Sequence, residues 1–232
     1  MKNFKKTALL FGLLFIPAII YLLLTGLGES KFKRLPIFYD ATNPEFDAGA
    51  LNAGGCSPNF VDSTHRIPAF SFINQNGQRT TEKDFLGKIT IADFFFTRCP
   101  DICITLSSQL VRVQEAFEGR DDVRILSHSV DPEYDSAQVL KEYAKRYGAD
   151  EKMWTFVTGS KTEIYKQARC GYFLPVTEPK QQAAATDYIH TEKITLIDKE
   201  GRIRGYYDGT NDVEVDRLIT EAQLLMEEYK ED

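Results

Sequence analysis

Ile89-Thr90-Ile91-Ala92-Asp93-Phe94-Phe95-Phe96 runs directly into Thr97-Arg98-Cys99-Pro100-Asp101-Ile102-Cys103. The first run is apolar apart from Thr90 and Asp93 and is bounded by Gly87-Lys88 and Arg98, which predicts a central strand covered on both faces. Leu106, Leu110, Val113 and Phe117 then recur at helical spacing and Gly119 follows as a stop, so a helix is expected over about 103–117. Pro100 suits the first helical position, where an N–H would have no partner. Cys99 therefore falls at the carboxyl end of a buried strand, the place where open α/β sheets form their sites.

The pattern continues on both sides. Residues 67–73 with Asn76-Gly77 read as a short strand closed by a tight turn. Val123 to Val130 is a strand, and Asp135-Ser136 cap a helix through about Tyr147, where Gly148 ends it. Trp154 to Val157 is a further strand, followed by a helix over 161–168. Residues 193–197 and 203–207 form an antiparallel hairpin, and a last helix runs over about 213–229. Strands alternating with helices, and a late hairpin, predict an α/β sandwich with a mixed central sheet flanked by helices.

The amino-terminal part differs. Ala8 to Leu27 carries no charge over 20 residues, enough for a helix of about 30 Å, and reads as an uncleaved membrane span. The expected organisation is a short cytoplasmic segment (1–6), an anchor (7–28), a tether (29–64) without well-supported strands or helices, and a folded domain (65–232). Lysines and arginines flank the span on both sides, so orientation rests on the short amino-terminal segment staying inside, which puts the domain in the periplasm or its equivalent. The chain of 232 residues has a net charge of −6; residues 1–34 carry +5 and the remainder −11. An acidic body of this kind makes a poor nucleic-acid binder.

Cys99 and Cys103 lie four residues apart, so on a helix their sulfurs share one face. Helix N-terminal amides favour the thiolate, which is both nucleophile and metal ligand. The pair is therefore a redox couple or a soft-metal site, and the absence of a second cysteine knuckle argues against structural zinc. An imidazole partner must be His65, His128 or His190, the three histidines of the chain. His65 reads as an exposed loop residue, His128 as a packed strand residue, and His190, just before the hairpin, as the candidate for the site. Cys56 and Cys170 are either a disulfide pinning the tether to the domain or two unpaired thiols.

This arrangement resembles the Sco/SenC family of copper proteins involved in cytochrome oxidase assembly, whose fold is thioredoxin-like. The likeness covers roughly residues 65–229 and the plan of anchor and tether. It is carried by Thr97-Arg98-Cys99-Pro100-Asp101-Ile102-Cys103, by Ser129-Val130-Asp131-Pro132-Glu133-Tyr134-Asp135, by Val139-Leu140-Lys141-Glu142-Tyr143, and by His190 ahead of Leu196-Ile197-Asp198-Lys199-Glu200-Gly201. Ile104 stands where that family usually has proline, and Ile189 where it often has an acidic residue, leaving Asp187 as the nearest carboxylate. The resemblance implies that Cys99, Cys103 and His190 bind one copper, as Cu(I) or Cu(II), with Asp101, Asp131 and Asp187 as the carboxylates around them. Ordinary turn and cap roles remain the simpler readings for Asp131 and Asp135. The implied partners are the copper-accepting subunit of a haem-copper oxidase and an upstream copper donor or thiol reductant. A thiol-disulfide oxidoreductase acting through Cys99 and Cys103 is the alternative, although Cys-x-x-Cys is the usual redox spacing. A thiol peroxidase stands third.

Overall fold

The computed structural model describes residues 13, 15–22, 34–43, 56–174 and 191–231. The chain divides into two units, Met1–Arg34 and Leu35–Asp232. Residues 15–22 of the first are helical and exposed. Among the described residues no helix is long and apolar enough to cross a membrane; most of the expected span lies outside them.

The second unit is built on a seven-stranded mixed sheet. Its strands are β3 (Ser71–Asn74), β4 (Arg79–Thr81), β5 (Ile89–Phe95), β6 (Val123–Ser129), β7 (Trp154–Thr158), β8 (Lys193–Ile197) and β9 (Ile203–Asp208), in the order β4-β3-β7-β6-β5-β8-β9. β5, β6 and β7 run parallel, and the hairpins β3–β4 and β8–β9 flank them through antiparallel pairs. Every residue of β5 is buried, as a strand covered on both faces requires. The helices are α1 (Ile102–Ala116), α2 (Ala137–Arg146), α3 (Lys161–Lys166) and α4 (Asp212–Glu231).

The expected elements are present, with four differences. Pro68 keeps residues 67–70 out of the ladder, so β3 starts at Ser71, and it pairs with a strand, β4, that the sequence pattern left unread. The turn between them uses Gly77 at φ 73°. Pro100 stands before the helix rather than inside it: Asp101 is the N-cap of α1, in a non-helical conformation at φ −141°. After α3 the chain continues as one π-helical turn, Gln167–Gly171.

The fourth difference concerns the expected tether. Two short strands, β1 (Phe60–Val61) and β2 (Thr64–His65), pair within it. Leu35 and Pro36 offer their carbonyls to the buried Arg204 guanidinium, and the Phe38 N–H donates to the Ile203 carbonyl. Cys56 is disulfide-bonded to Cys170, the bridged alternative of the two. These contacts are tertiary, made with residues far along the chain, and composition carries no trace of them. Residues 35–43 and 56–64 thus form a strap on the body.

Candidate metal centre

β5 delivers Thr97, Arg98 and Cys99 to the carboxyl end of the sheet. The Cys99 N–H donates to the Phe96 carbonyl at 3.2 Å, turning the chain before α1 begins. One turn on, the Cys103 N–H donates to Cys99 Sγ at 3.4 Å. The bond brings Cys99 Sγ to the first turn of α1, although Cys99 itself lies ahead of the helix and not on the helix face that the four-residue spacing predicts. Both thiols are free and buried, with 7% and 4% exposure for Cys99 and Cys103. Burial pushes the Cys103 thiol well above its ordinary range, and the neighbouring Cys99 thiol and Asp93 carboxyl add to that. The helix N-terminus was expected to favour a thiolate there; desolvation outweighs it.

The stretch Ser129 to Asp135 is the clamp on the thiol loop. β5 and β6 pair in parallel register, Phe95 opposite Ser129, and the Val130 N–H donates to the Phe95 carbonyl, so the chain beyond β6 emerges beside the thiol loop. Asp135 was read as a helix cap, but Ser136 takes that role by accepting from the Val139 N–H. Asp135 is instead fully buried and accepts from the Thr97 N–H at 3.1 Å, from the Thr97 hydroxyl, and from the Ser129 hydroxyl at 2.5 Å. Burial raises its pKa despite these donors, helped by the nearby Asp131 charge. Asp131 accepts from Arg98 Nη2 at 2.6 Å, and the same guanidinium lies 4.0 Å over the Tyr134 ring. The turn role foreseen for Asp131 also holds, since its carbonyl accepts from the Tyr134 and Asp135 N–H groups. Asp101 is exposed and its side chain makes no cap hydrogen bond.

Beneath the thiols lies a group that sequence reasoning passed over. Asp93 is 1% exposed, accepts from the Ser127 hydroxyl at 2.5 Å, and its Oδ2 has no hydrogen-bond partner among the described residues. Trp154 Nε1 donates in turn to that Ser127 oxygen at 2.8 Å. Burial raises the Asp93 pKa to about 7. The signal available in the sequence was a lone carboxylate in an otherwise apolar strand.

The histidines separate cleanly. His128 is a packed core residue as expected, stacked on Phe94 at 4.5 Å, and burial holds its pKa down to about 4. His65 is not the exposed loop residue it was read to be: it is fully buried, accepts at Nδ1 from the Asn59 N–H and donates from Nε2 to the Gly171 carbonyl. Neither shares the site with the thiols. His190 and Asp187 lie outside the described residues. Among the described residues no group of three His, Cys, Asp or Glu side chains forms a metal-binding cluster. Two converging thiols are by themselves a soft donor pair that suits a thiophilic ion, and they need an outside ligand to complete it.

A family model described as SCO1/SenC matches residues 61–225. The chain belongs to the SCO1/SenC family. It is 30% identical over 161 residues to the SCO1 protein homolog of Bacillus subtilis, a stretch covering 68% of this chain and 82% of that one. It spans less than half the length of the mitochondrial SCO1 homologs of Arabidopsis thaliana and Homo sapiens that it matches, 43% and 46%. Its fold is similar to that of BsSco, described as a member of the Sco family of cytochrome c oxidase assembly proteins with a disulfide switch. That match has a TM-score of 0.60, 29% identity, and coverage of 72% of this chain and 95% of that one. It is also similar to Arabidopsis thaliana ScoI solved with copper bound, with a TM-score of 0.55, 33% identity, and coverage of 67% and 97%. The architecture is thus the α/β, thioredoxin-like sandwich of these SCO1/SenC structures.

Proposed function

We propose that this SCO1/SenC protein is a membrane-tethered, extracytoplasmic copper-binding protein that delivers copper to a cytochrome c oxidase subunit, or prepares that subunit's copper site. Its ligands are Cys99, Cys103 and His190. The observation that carries the reading is the buried thiol pair, with the Cys103 N–H donated to Cys99 Sγ at the carboxyl end of β5. Relatives solved with copper bound support the choice of ion. Thiolates select Cu(I), and an imidazole from His190 extends the site to Cu(II). Loading needs both thiols deprotonated, so copper binding releases protons, and a Cys99–Cys103 disulfide excludes the metal. The cargo is a metal ion and the chain is read as a chaperone rather than an enzyme. Asp135 and Asp131 act on the loop: one holds Thr97 and the other Arg98, the two residues that lead into Cys99.

The anchor is the apolar run at 8–27, with residues 1–6 cytoplasmic and the folded body in the periplasm or an equivalent space. A copper donor or thiol reductant upstream keeps the site loaded or reduced.

The second reading uses the same thiols to reduce the oxidase's copper-site cysteines, and the free, unbridged state of Cys99 and Cys103 favours it equally. The two are separated by mixing the copper-loaded full chain with a copper-accepting oxidase subunit whose cysteines are already reduced. Delivery predicts stoichiometric movement of copper to that acceptor. If no copper moves, and only the disulfide form of the acceptor reacts while Cys99 and Cys103 become oxidised, the delivery reading is wrong and the reductase reading stands.

A further inference from the structure

Between the strap and the sheet lies a cavity of about 290 Å³, at the small end of the range for ligand pockets. Thr90 of β5, Leu126 of β6 and Ile197 of β8 form its floor. Thr90 pairs with Ile197, and Leu126 pairs with Ala92, two residues on from Thr90, so all three side chains lie on one face of the sheet. Val61, Ile67 and Leu86 stand among its walls.

The walls are tied down. The Ile67 N–H donates to the Gly201 carbonyl at 2.8 Å, the Gly87 N–H to the Lys199 carbonyl at 2.9 Å, and the Arg66 N–H to the Asn59 carbonyl at 3.0 Å. β9 runs antiparallel to β8, and β8 antiparallel to β5, so the start of β9, with Arg204, lies at this same end of the sheet, the amino end of the parallel strands. Thr90 is the second residue of β5, whereas Cys99 lies beyond its carboxyl end. The cavity is therefore separate from the thiol site.

Its polar lining is uneven. Thr90 is 3% exposed, and its hydroxyl has no hydrogen-bond partner among the described residues. Arg66 Nε is likewise buried without a partner among them. The carboxylates around the cavity are already engaged: Glu82 accepts from the Phe70 N–H, Asp198 from Arg202 and Arg204, and Glu200 from Arg202. An unpaired buried hydroxyl is costly, and in a preformed cavity it marks a place for a ligand atom. The hydroxyl can donate and the guanidinium N–H can only donate, so the matching atom is an acceptor oxygen. The charged lining is Arg66 against Glu82, Asp198 and Glu200, an excess of negative charge that opposes an anion.

We propose that this cavity binds a neutral, apolar ring compound carrying a carbonyl group. Its oxygen accepts from the Thr90 hydroxyl, with the Arg66 Nε–H as a second donor, while the rings lie against Leu126, Ile197 and Leu86. Burial of the rings supplies affinity. The hydrogen bond supplies selectivity, because a site built to donate discriminates against the analogue that lacks the acceptor.

The test is a methyl NMR titration of the full chain in detergent micelles, with isoleucine, leucine and valine methyl groups labelled. The probes are 1-tetralone, its hydrocarbon analogue tetralin, and the anion 1-naphthoate. 1-Tetralone should give saturable shifts at Leu86, Leu126 and Ile197 and none at Ile104, which is 50% exposed and adjoins Cys103. Thr90→Val keeps the shape of the side chain and removes the hydroxyl. It should weaken 1-tetralone roughly five-fold, the worth of about one hydrogen bond, and leave tetralin unchanged. Comparing the parent with the variant cancels partition of each probe into the micelles. Absence of saturable shifts at the cavity, equal affinity of 1-tetralone for the parent and Thr90→Val, or tighter binding of 1-naphthoate than of 1-tetralone overturns the proposal.

Discussion

The two ends of the sheet solve opposite problems with the same kinds of side chain. At the amino end, Arg204 is 2% exposed and its guanidinium is hydrogen-bonded to two carboxylates and two backbone carbonyls. A buried charge with each of its three nitrogens hydrogen-bonded fixes the strap in one place. At the carboxyl end the carboxylates are arranged differently. Asp135 and Asp131 hold only the approach to Cys99, and the thiols themselves keep free sulfurs. Asp93 beneath them is left with an oxygen that finds no partner among the described residues. One end is organised for permanence and the other for a change of protonation or ligation. If that contrast is right, damage to the amino end should lower stability and leave copper binding alone, whereas changes at the carboxyl end should appear in pH dependence and metal chemistry.

The largest effect should come from the strap's disulfide. Cys56 and Cys170 are 114 residues apart in sequence, and opening a loop of that order costs about 4–5 kcal/mol in the chain-entropy account. The double variant Cys56→Ser/Cys170→Ser should lose about that much in urea unfolding while binding copper like the parent. Altered copper binding in that variant would break the separation between the ends.

Asp93 sharpens the other side. Its folded pKa of about 7 lies above the 3.8 ordinary for an aspartate, so the folded state keeps a proton that the unfolded state releases between those values. The stability this provides is complete below about pH 4 and is lost as pH rises through about 7, amounting to at most about 4 kcal/mol. Asp93→Asn has no proton to lose, and unfolding of the reduced, metal-free variant should show a flatter pH profile than the parent between pH 4 and 8. Parallel profiles would show that Asp93 is already ionised in the folded protein.

Arg204→Ala comes third. It leaves Glu228 without its guanidinium partner, but Asp198 retains Arg202 at 2.7 Å, so a loss of about 3 kcal/mol is expected, at the low end for a broken buried pair. The copper spectrum should not change. A loss under about 1 kcal/mol, the range of a surface pair, would mean that the strap is not held by this cluster.

The sequence made the alternation of strands and helices legible because each element announces its own period, and the thiol pair legible because both cysteines fall at the junction of a buried strand and a helix, although Cys99 proved to lie ahead of that helix. What it concealed was tertiary. Asp135 reaches Thr97 only because β5 and β6 pair with Phe95 opposite Ser129, a register that no local pattern encodes. The strap looked like a tether because its partners, Arg204, Ile203 and Cys170, lie more than a hundred residues away in the chain. His65 looked exposed for the same reason, since the acceptor that buries it, the Gly171 carbonyl, belongs to the π-helical turn after α3.

The central claim is the three-ligand copper site, and an anaerobic copper titration of the reduced full chain against His190→Ala and Cys103→Ser tests it most directly. Cu(II) is followed by thiolate charge-transfer absorption and Cu(I) by competition with a chelator. The account predicts one equivalent of thiolate-bound copper in the parent, lost in Cys103→Ser and weakened with an altered Cu(II) spectrum in His190→Ala. Copper binding absent from the parent, or identical in the parent and His190→Ala, would contradict it.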